Sequence, residues 1–262
     1  MILVLAGTQD GRQLAAQLAK GYKVIVSVVS QYGRQLASES QVQAQEGMLD
    51  TDGMIELLRR QQVELLVDAS HPYAVNVSRN AMEACENCGV AYLRYERPQA
   101  ALPAYDKLYK ASNYEMAAKQ AMVLGKVIFL TTGSRHLKVF KAAADPAVHR
   151  LIARVLPEPG VLTECLELGF QPRDIVALQG PFSHELNKAL FKEFGTEVVV
   201  SKNSGQIGGS DTKFSAAREL GLPLVIIDRP VLPYKTVVSS FAEVLAYVNK
   251  HMAGSRAVNG CR

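Results

Sequence analysis

Ile2-Leu3-Val4-Leu5-Ala6-Gly7-Thr8-Gln9-Asp10-Gly11-Arg12 is an apolar run that breaks into a glycine-bearing polar turn. A short continuous apolar run closed by such a turn reads as a strand buried on both faces, as in a parallel sheet. Helical spacing follows at once, with Leu14 and Leu18 on one face between Gly11 and Lys20. Val24 to Val29 and Val63 to Val67 read as further strands. Ala74, Val77, Ala81 and Ala84 fall at helical spacing, and Tyr92-Leu93-Arg94-Tyr95 reads as the last strand of the set. Strands alternating with helices predict an α/β fold with a parallel sheet and crossover helices.

The pattern then restarts. Val127-Ile128-Phe129-Leu130 runs into Thr131-Thr132-Gly133-Ser134 as Leu3-Val4-Leu5-Ala6 runs into Gly7-Thr8. Later strands are expected at Leu151 to Val155, Ile175 to Leu178, Val198 to Ser201 and Leu224 to Ile227. Glu96-Arg97-Pro98 closes the first set and Asp228-Arg229-Pro230 the second. Each is followed by a short extended stretch, a serine and a helix, at Leu108 to Ser112 and Val237 to Ser240. The halves read as copies of one unit. The expected domains are 1–98 and 99–262, with the last strand and helix, 236–250, open to packing on the first domain. Ligands of open α/β sheets bind at the carboxyl ends of the strands. Two such domains facing each other would form a cleft lined by strand-end loops.

With 262 residues, 48% of them hydrophobic and 21% charged, the composition is that of a globular protein and argues against disorder. The net charge of +4 is small and scattered, which argues against nucleic-acid binding and leaves room for a local basic cluster facing a small acidic ligand. No apolar run approaches the ~20 residues that span a bilayer. Met1 leads directly into the first strand without a basic n-region, so no signal peptide is expected and the predicted location is cytoplasmic. Oligomeric state leaves no mark in the sequence.

Four strand-end loops could carry chemistry. Gly7, Thr8, Gly11 and Arg12 belong to the first, where a glycine turn opens a helix whose N-terminus attracts anions. Its spacing is only part of a dinucleotide fingerprint, and a plain tight turn fits as well. The second, from Ser27 through Ser30 to Arg34, lacks the acid that usually binds a ribose. If a dinucleotide binds here, Arg34 favours NADPH over NADH. A solvated arginine is the plain alternative. The third, Ser201 to Lys213, sets Lys202, Asn203, Ser204, Gly205 and Lys213 among glycines and hydroxyls, an anion cradle without Walker A order. A flexible surface loop is the alternative to that. The fourth, Gln179 to Asn187, includes Phe182, which would either stack on a planar ligand or belong to the core.

Between Val67 and Tyr73, Asp68-Ala69-Ser70-His71-Pro72 joins a strand to a helix. Proline suits a first helical turn, so Ser70 and His71 are expected at the cap. His71, His136, His149, His184 and His251 lack ligand spacing, and Cys85-Glu86-Asn87-Cys88 has no second pair, so no metal site is expected. Neither a Tyr-x-x-x-Lys pair nor a Gly-x-Ser-x-Gly elbow occurs.

In chain order, LAGTQDGRQLA, DASHPYAVNVSRNA, YERP, TTGSRHL, RVLP, GPFSHELN and SKNSGQIGGSDTKFSAARELGLP closely resemble the precorrin-6A reductases of cobalamin biosynthesis. The resemblance covers Leu5 to Pro230. It implies two Rossmann-like α/β domains with the active site between them. The implied reaction is NADPH-dependent reduction of precorrin-6A, or its cobalt form, to the 6B macrocycle by hydride transfer to the C18=C19 double bond. The implied partner is thus a tetrapyrrole, with neither nucleic acid nor membrane.

The resemblance also suggests roles for individual residues. Gly7, Thr8, Gly11 and Arg12 would form the cofactor loop, and Ser27 and Arg34 would lie near its ribose. Ser70 and His71 would lie near the nicotinamide, with His71 as proton donor or positioning residue. Thr132, Gly133 and Ser134 would line the site from the second domain. Lys202, Asn203, Ser204, Gly205 and Lys213 would hold macrocycle carboxylates or cofactor phosphates. Tyr95, Glu96 and Arg97 would reach substrate from the hinge. The competing readings are an NADPH reductase of another acidic metabolite and a two-lobed nucleotide- or anion-binding sensor without catalysis.

The arginine assignment is directly testable. Arg34→Ala is expected to raise the KM for NADPH more than that for NADH, and equal effects on both would remove Arg34 from 2′-phosphate recognition.

Overall fold

The computed structural model describes residues 1–28, 42–47, 49–99, 101–102, 104–204 and 210–259. Arg34 and Gly205 lie outside the described residues. The chain divides into two compact units, Met1–Pro98 with Val231–Arg262, and Gln99–Pro230. The second unit therefore ends at Pro230 rather than continuing to 262.

In the first unit, strands β1 (Ile2–Leu5), β2 (Val24–Val28), β3 (Gln43–Glu46), β4 (Leu65–Asp68) and β5 (Ala91–Tyr95) join the two-residue β12 (Val237–Val238). The sheet is parallel throughout, in the order β12-β5-β4-β1-β2-β3. Strand alternation divides its side chains between two faces. Ile2, Val4, Val24, Val26, Leu65 and Val67 pack with Leu14 and Leu18 of α1 (Gln9–Ala19) and with Val244 and Val248 of the C-terminal helix α9 (Phe241–Asn259). Leu3, Leu5, Ile25 and Leu66 pack with Met54, Leu57 and Leu58 of α2 (Thr51–Arg60) and with Ala81 and Ala84 of α3 (Val75–Cys88).

Periodicity left β3 and α2 unread. β3 is polar and lies at the sheet edge, paired with β2 alone. α2 is capped by Asp50, whose carboxylate accepts from the Gly53 amide at 2.9 Å. The C-terminal helix runs to Asn259, past the expected end at Lys250.

The second unit repeats the plan. Its strands are β6 (Leu108–Ala111), β7 (Val127–Leu130), β8 (Arg150–Val155), β9 (Ile175–Ala177), β10 (Val198–Lys202) and β11 (Leu224–Ile227), in the order β6-β11-β10-β7-β8-β9. Its helices are α4 (Tyr114–Leu124), α5 (Leu137–Ala143), α6 (Pro159–Glu167), α7 (His184–Glu193) and α8 (Ser210–Glu219). Phe129 of β7 meets Phe191 of α7 edge-on at 5.2 Å, in a core shared with Phe214, Ala216 and Ala217 of α8.

The sixth strand of the first sheet arrives only after the whole second unit. β6 follows β5 in the chain but pairs with β11, while β12 follows β11 but pairs with β5. Tyr92 to Tyr95 is therefore not the edge of its sheet. Both edge strands follow an Arg-Pro step, and both arginines bond back into their own unit. Arg97 donates to Asp10 at 2.7 Å, and Arg229 Nε donates to the Asn203 carbonyl at 2.9 Å.

Val244 is fully buried against the first sheet. Val244→Asp is expected to destabilise the protein by at least ~3 kcal/mol, measured by urea unfolding, because it places a carboxylate in that apolar layer.

Candidate active site

In the first unit the strand order reverses between β1 and β4, which leaves a crevice at their carboxyl ends. The loops after these strands are tied together. Thr8 caps α1 by accepting from the Gly11 amide at 2.9 Å, and its hydroxyl donates to the Ala69 carbonyl at 3.0 Å. A Cβ on Gly11 would lie 2.9 Å from that carbonyl, so only glycine lets the helix sit this close to the β4 loop. A Cβ on Gly7 would meet no described atom within 4 Å, so packing does not demand glycine there. A ligand approaching the backbone would. Asp10, in the first turn of α1, would repel a phosphate at the helix N-terminus. Its carboxylate is instead clamped by Arg97, whose Nη1 reaches both oxygens at 2.7 and 2.8 Å. These features fit a dinucleotide.

The β4 loop differs from its expected form. Pro72 is the second residue of a turn closed by the Ala74 amide donating to the His71 carbonyl at 2.7 Å. α3 begins only at Val75, with Ala74 as its N-cap and no side-chain cap. The proline thus precedes the helix and does not open it, and Ser70 and His71 lie upstream of the cap position. His71 Nδ1 accepts from the Tyr73 amide at 3.2 Å, which in the neutral ring puts the proton on Nε2.

Beneath this turn lies a buried polar network. Asp68 Oδ1 accepts from the Ser70 amide at 3.0 Å and from Arg94 Nη1 at 2.9 Å. Asp68 Oδ2 accepts from Ser78 at 2.6 Å and Tyr92 at 2.7 Å. Burial alone would raise the Asp68 pKa. The Arg94 guanidinium and the hydrogen bonds from Ser70, Ser78 and Tyr92 outweigh it and hold the carboxyl below its usual range. The Arg94 guanidinium also faces the Tyr234 ring, 5.2 Å from its centroid.

In the second unit the corresponding reversal falls between β7 and β10, and cations gather there. Lys213 is 7% exposed. Burial, then the charges of Arg154 and Lys202, push its ammonium down to about 7, with Asp211 opposing. Lys202 is pushed down to about 8 by burial and then by Arg135, and burial takes Arg154 down to about 10. Arg154 donates to Asn187 Oδ1 at 2.7 Å and lies over the Phe182 ring at 4.6 Å. Phe182 is thus a packing surface for a buried guanidinium. Burial, then the Lys202 charge, also lowers the pKa of His136, whose ring stacks on Tyr114 at 3.6 Å. Positive charges brought together and partly withdrawn from water make a site for an anion with several acidic groups.

The family model for the precorrin-6x reductases CbiJ/CobK matches residues 1–249. The chain belongs to this family. It is 42% identical to a cobalt-precorrin-6A reductase of Priestia megaterium over 95% of this chain and 99% of the relative. It is 31% identical to a precorrin-6A reductase of Rhodobacter capsulatus, over 98% and 99% of the two chains. A solved CobK precorrin-6A reductase superposes with a TM-score of 0.79 at 28% identity, covering 95% of this chain and 96% of the other.

Within this family frame, the expected site residues fall into three groups. Gly7, Thr8, Gly11, Arg12, Ser27, Ser70 and His71 gather at the carboxyl ends of β1, β2 and β4. Thr132, Gly133, Ser134, Lys202, Asn203, Ser204 and Lys213 gather at the ends of β7 and β10, where Gly133 takes the left-handed φ of 79° that favours glycine. Tyr95 and Arg97 have structural places instead. The Tyr95 ring packs on Phe241 at 5.3 Å in the core, and Arg97 is committed to Asp10.

Asp10, Asp68, Arg94 and Arg154 were not singled out by sequence. The signal for three of them was a charge inside or ending a strand that has to be buried on both faces. Among the described residues, no group of three or more His, Cys, Asp and Glu is placed to hold a metal, and no helix is long and apolar enough to cross a membrane. Burial pushes the Cys85 thiol up to about 12, which makes it unreactive.

An anion binding to Lys213 needs the ammonium form. Affinity for a polycarboxylate ligand is therefore expected to fall as pH rises through about 7 to 8, read as Kd between pH 6 and 9. Lys213→Arg is expected to flatten that fall, because a guanidinium stays charged throughout.

Proposed function

We propose that this protein reduces precorrin-6A, or its cobalt form, to the 6B macrocycle during corrin-ring synthesis, using NADPH. The buried cation cluster of the second unit carries the reading within this family of reductases. A corrinoid precursor presents acetate and propionate groups, and their carboxylates would relieve the mutual repulsion of Lys202, Lys213 and Arg154. A bound NADPH would supply the hydride for the C18=C19 double bond.

The residues of the chain would bind and orient. Gly7, Thr8, Gly11 and Arg12 would hold the cofactor's phosphates at the N-terminus of α1, with Asp10 neutralised by Arg97. Ser27 and Arg34 would reach the ribose and its 2′-phosphate. Ser70 and His71 would face the nicotinamide end. Thr132, Gly133 and Ser134, at the end of β7, would be further cofactor contacts. Lys202, Asn203, Ser204, Gly205 and Lys213 would grip carboxylates. His71 would act as proton donor or as positioning residue; as donor it would start as the imidazolium and give up the Nε2 proton to leave the neutral ring. Holding donor and acceptor in register supplies a large part of the acceleration.

The test is anaerobic incubation of precorrin-6A, and separately its cobalt form, with NADPH while nicotinamide absorbance and the macrocycle spectrum are followed. Stoichiometric loss of NADPH is expected with at least one substrate. No turnover with either sinks the reading, and tight binding without turnover points to a sensor. His71→Asn is expected to lower kcat about a hundredfold and to remove one limb of its pH profile. Near-normal kcat across pH would make His71 a positioning residue.

A further inference from the structure

Asp68 and Arg94 are neighbours across β4 and β5, and both side chains are fully buried. One nitrogen, Arg94 Nη1, donates to Asp68 Oδ1 at 2.9 Å, to the Ser70 hydroxyl at 3.1 Å and to the Asp68 carbonyl at 3.4 Å. The Ser70 amide returns to Asp68 Oδ1 at 3.0 Å, so Ser70 is held by its backbone and its side chain together. The other carboxylate oxygen takes Ser78 of α3 and Tyr92 of β5. A single carboxylate therefore fixes the end of β4, the entrance to the His71–Ala74 turn and the start of the helix beyond it.

Folding stability does not call for this arrangement. The strands around the pair are apolar, and a buried ion pair is commonly matched or bettered by well-packed apolar residues of similar size. Arg94 Nη2 is also buried without a hydrogen-bond partner among the described residues, a cost that an apolar side chain would avoid. What the charged pair supplies and an apolar pair could not is direction. Its hydrogen bonds pin Ser70, and with it the adjoining His71, relative to the strand ends.

We propose that Asp68 and Arg94 are positioning residues, holding the Ser70–His71 turn in the conformation that turnover requires. The proposal rests on the reductase reading for its link to rate. Neither residue touches the reacting atoms.

The test compares wild-type protein with Asp68→Asn and with the double variant Asp68→Leu/Arg94→Met. The single variant strands a buried guanidinium and is expected to lose both Tm and kcat. The double variant removes both charges. It is expected to recover part of the Tm lost in the single variant, the Ser78 and Tyr92 hydroxyls still lacking the Asp68 acceptor, and to keep the wild-type Kd for NADPH. Its kcat should stay about a hundredfold low, as expected for misplaced groups. Its amides over residues 69–74 should exchange about tenfold faster. Wild-type kcat, unchanged exchange or unrecovered Tm in the double variant each overturns the proposal. Ser70→Ala, which removes only the hydroxyl link, is expected to lower kcat without moving Tm, and Ser70→Thr is expected to restore it. If the wild-type protein fails to turn over precorrin-6A, the assigned reaction falls. The exchange comparison still decides whether the pair holds the turn.

Discussion

The first sheet cannot be completed by one continuous stretch of chain. It lacks an edge strand until β12 arrives after the whole second unit, and α9 then covers one face of it. The second sheet comes from one continuous stretch, with β6, the first strand of its own unit, as its edge. The chain passes from one sheet to the other twice, through the proline-bearing segments after Arg97 and Arg229, and each arginine anchors its connection to its own unit. The repeated Arg-Pro signature thus marks where the chain leaves one sheet for the other.

Both units bury charge at the carboxyl ends of their central strands, but to opposite effect. In the first unit the charges are paired, Asp68 with Arg94 and Asp10 with Arg97. Pairing spends most of the electrostatic energy inside the protein, and what remains is geometry. Removing one partner of such a pair costs roughly 3–5 kcal/mol, because the other is left charged and dry. In the second unit Arg154 and Lys213 are buried and Lys202 is half-buried, all of one sign; burial works against each, and nearby like charges add to it for Lys202 and Lys213.

Much of this was legible before any coordinates. Runs such as Leu3-Val4-Leu5 and Val198-Val199-Val200 belong to strands buried on both faces, and they lie where periodicity put them. β3 was missed because Gln43-Ala44-Gln45-Glu46 has no apolar pattern. It is a strand because the open edge of β2 supplies hydrogen-bond partners. Pro72 was read as a helix start because proline suits that position in general. The local turn closed by the His71 carbonyl takes it instead.

By itself the sequence determined the alternation of strands and helices, the restart of the unit and the concentration of glycine, hydroxyl and basic residues in strand-end loops. These follow from periodicity and from backbone chemistry, which act over a few residues. Tertiary structure alone decided that β12 joins the first sheet, that Arg97 serves Asp10, that Tyr95 is core and that Arg154 joins the lysines. Each depends on which distant segment lies within a few ångströms. Copies of one unit carry nearly the same local signals, so no local rule could tell the sheets apart or choose a partner for a charge.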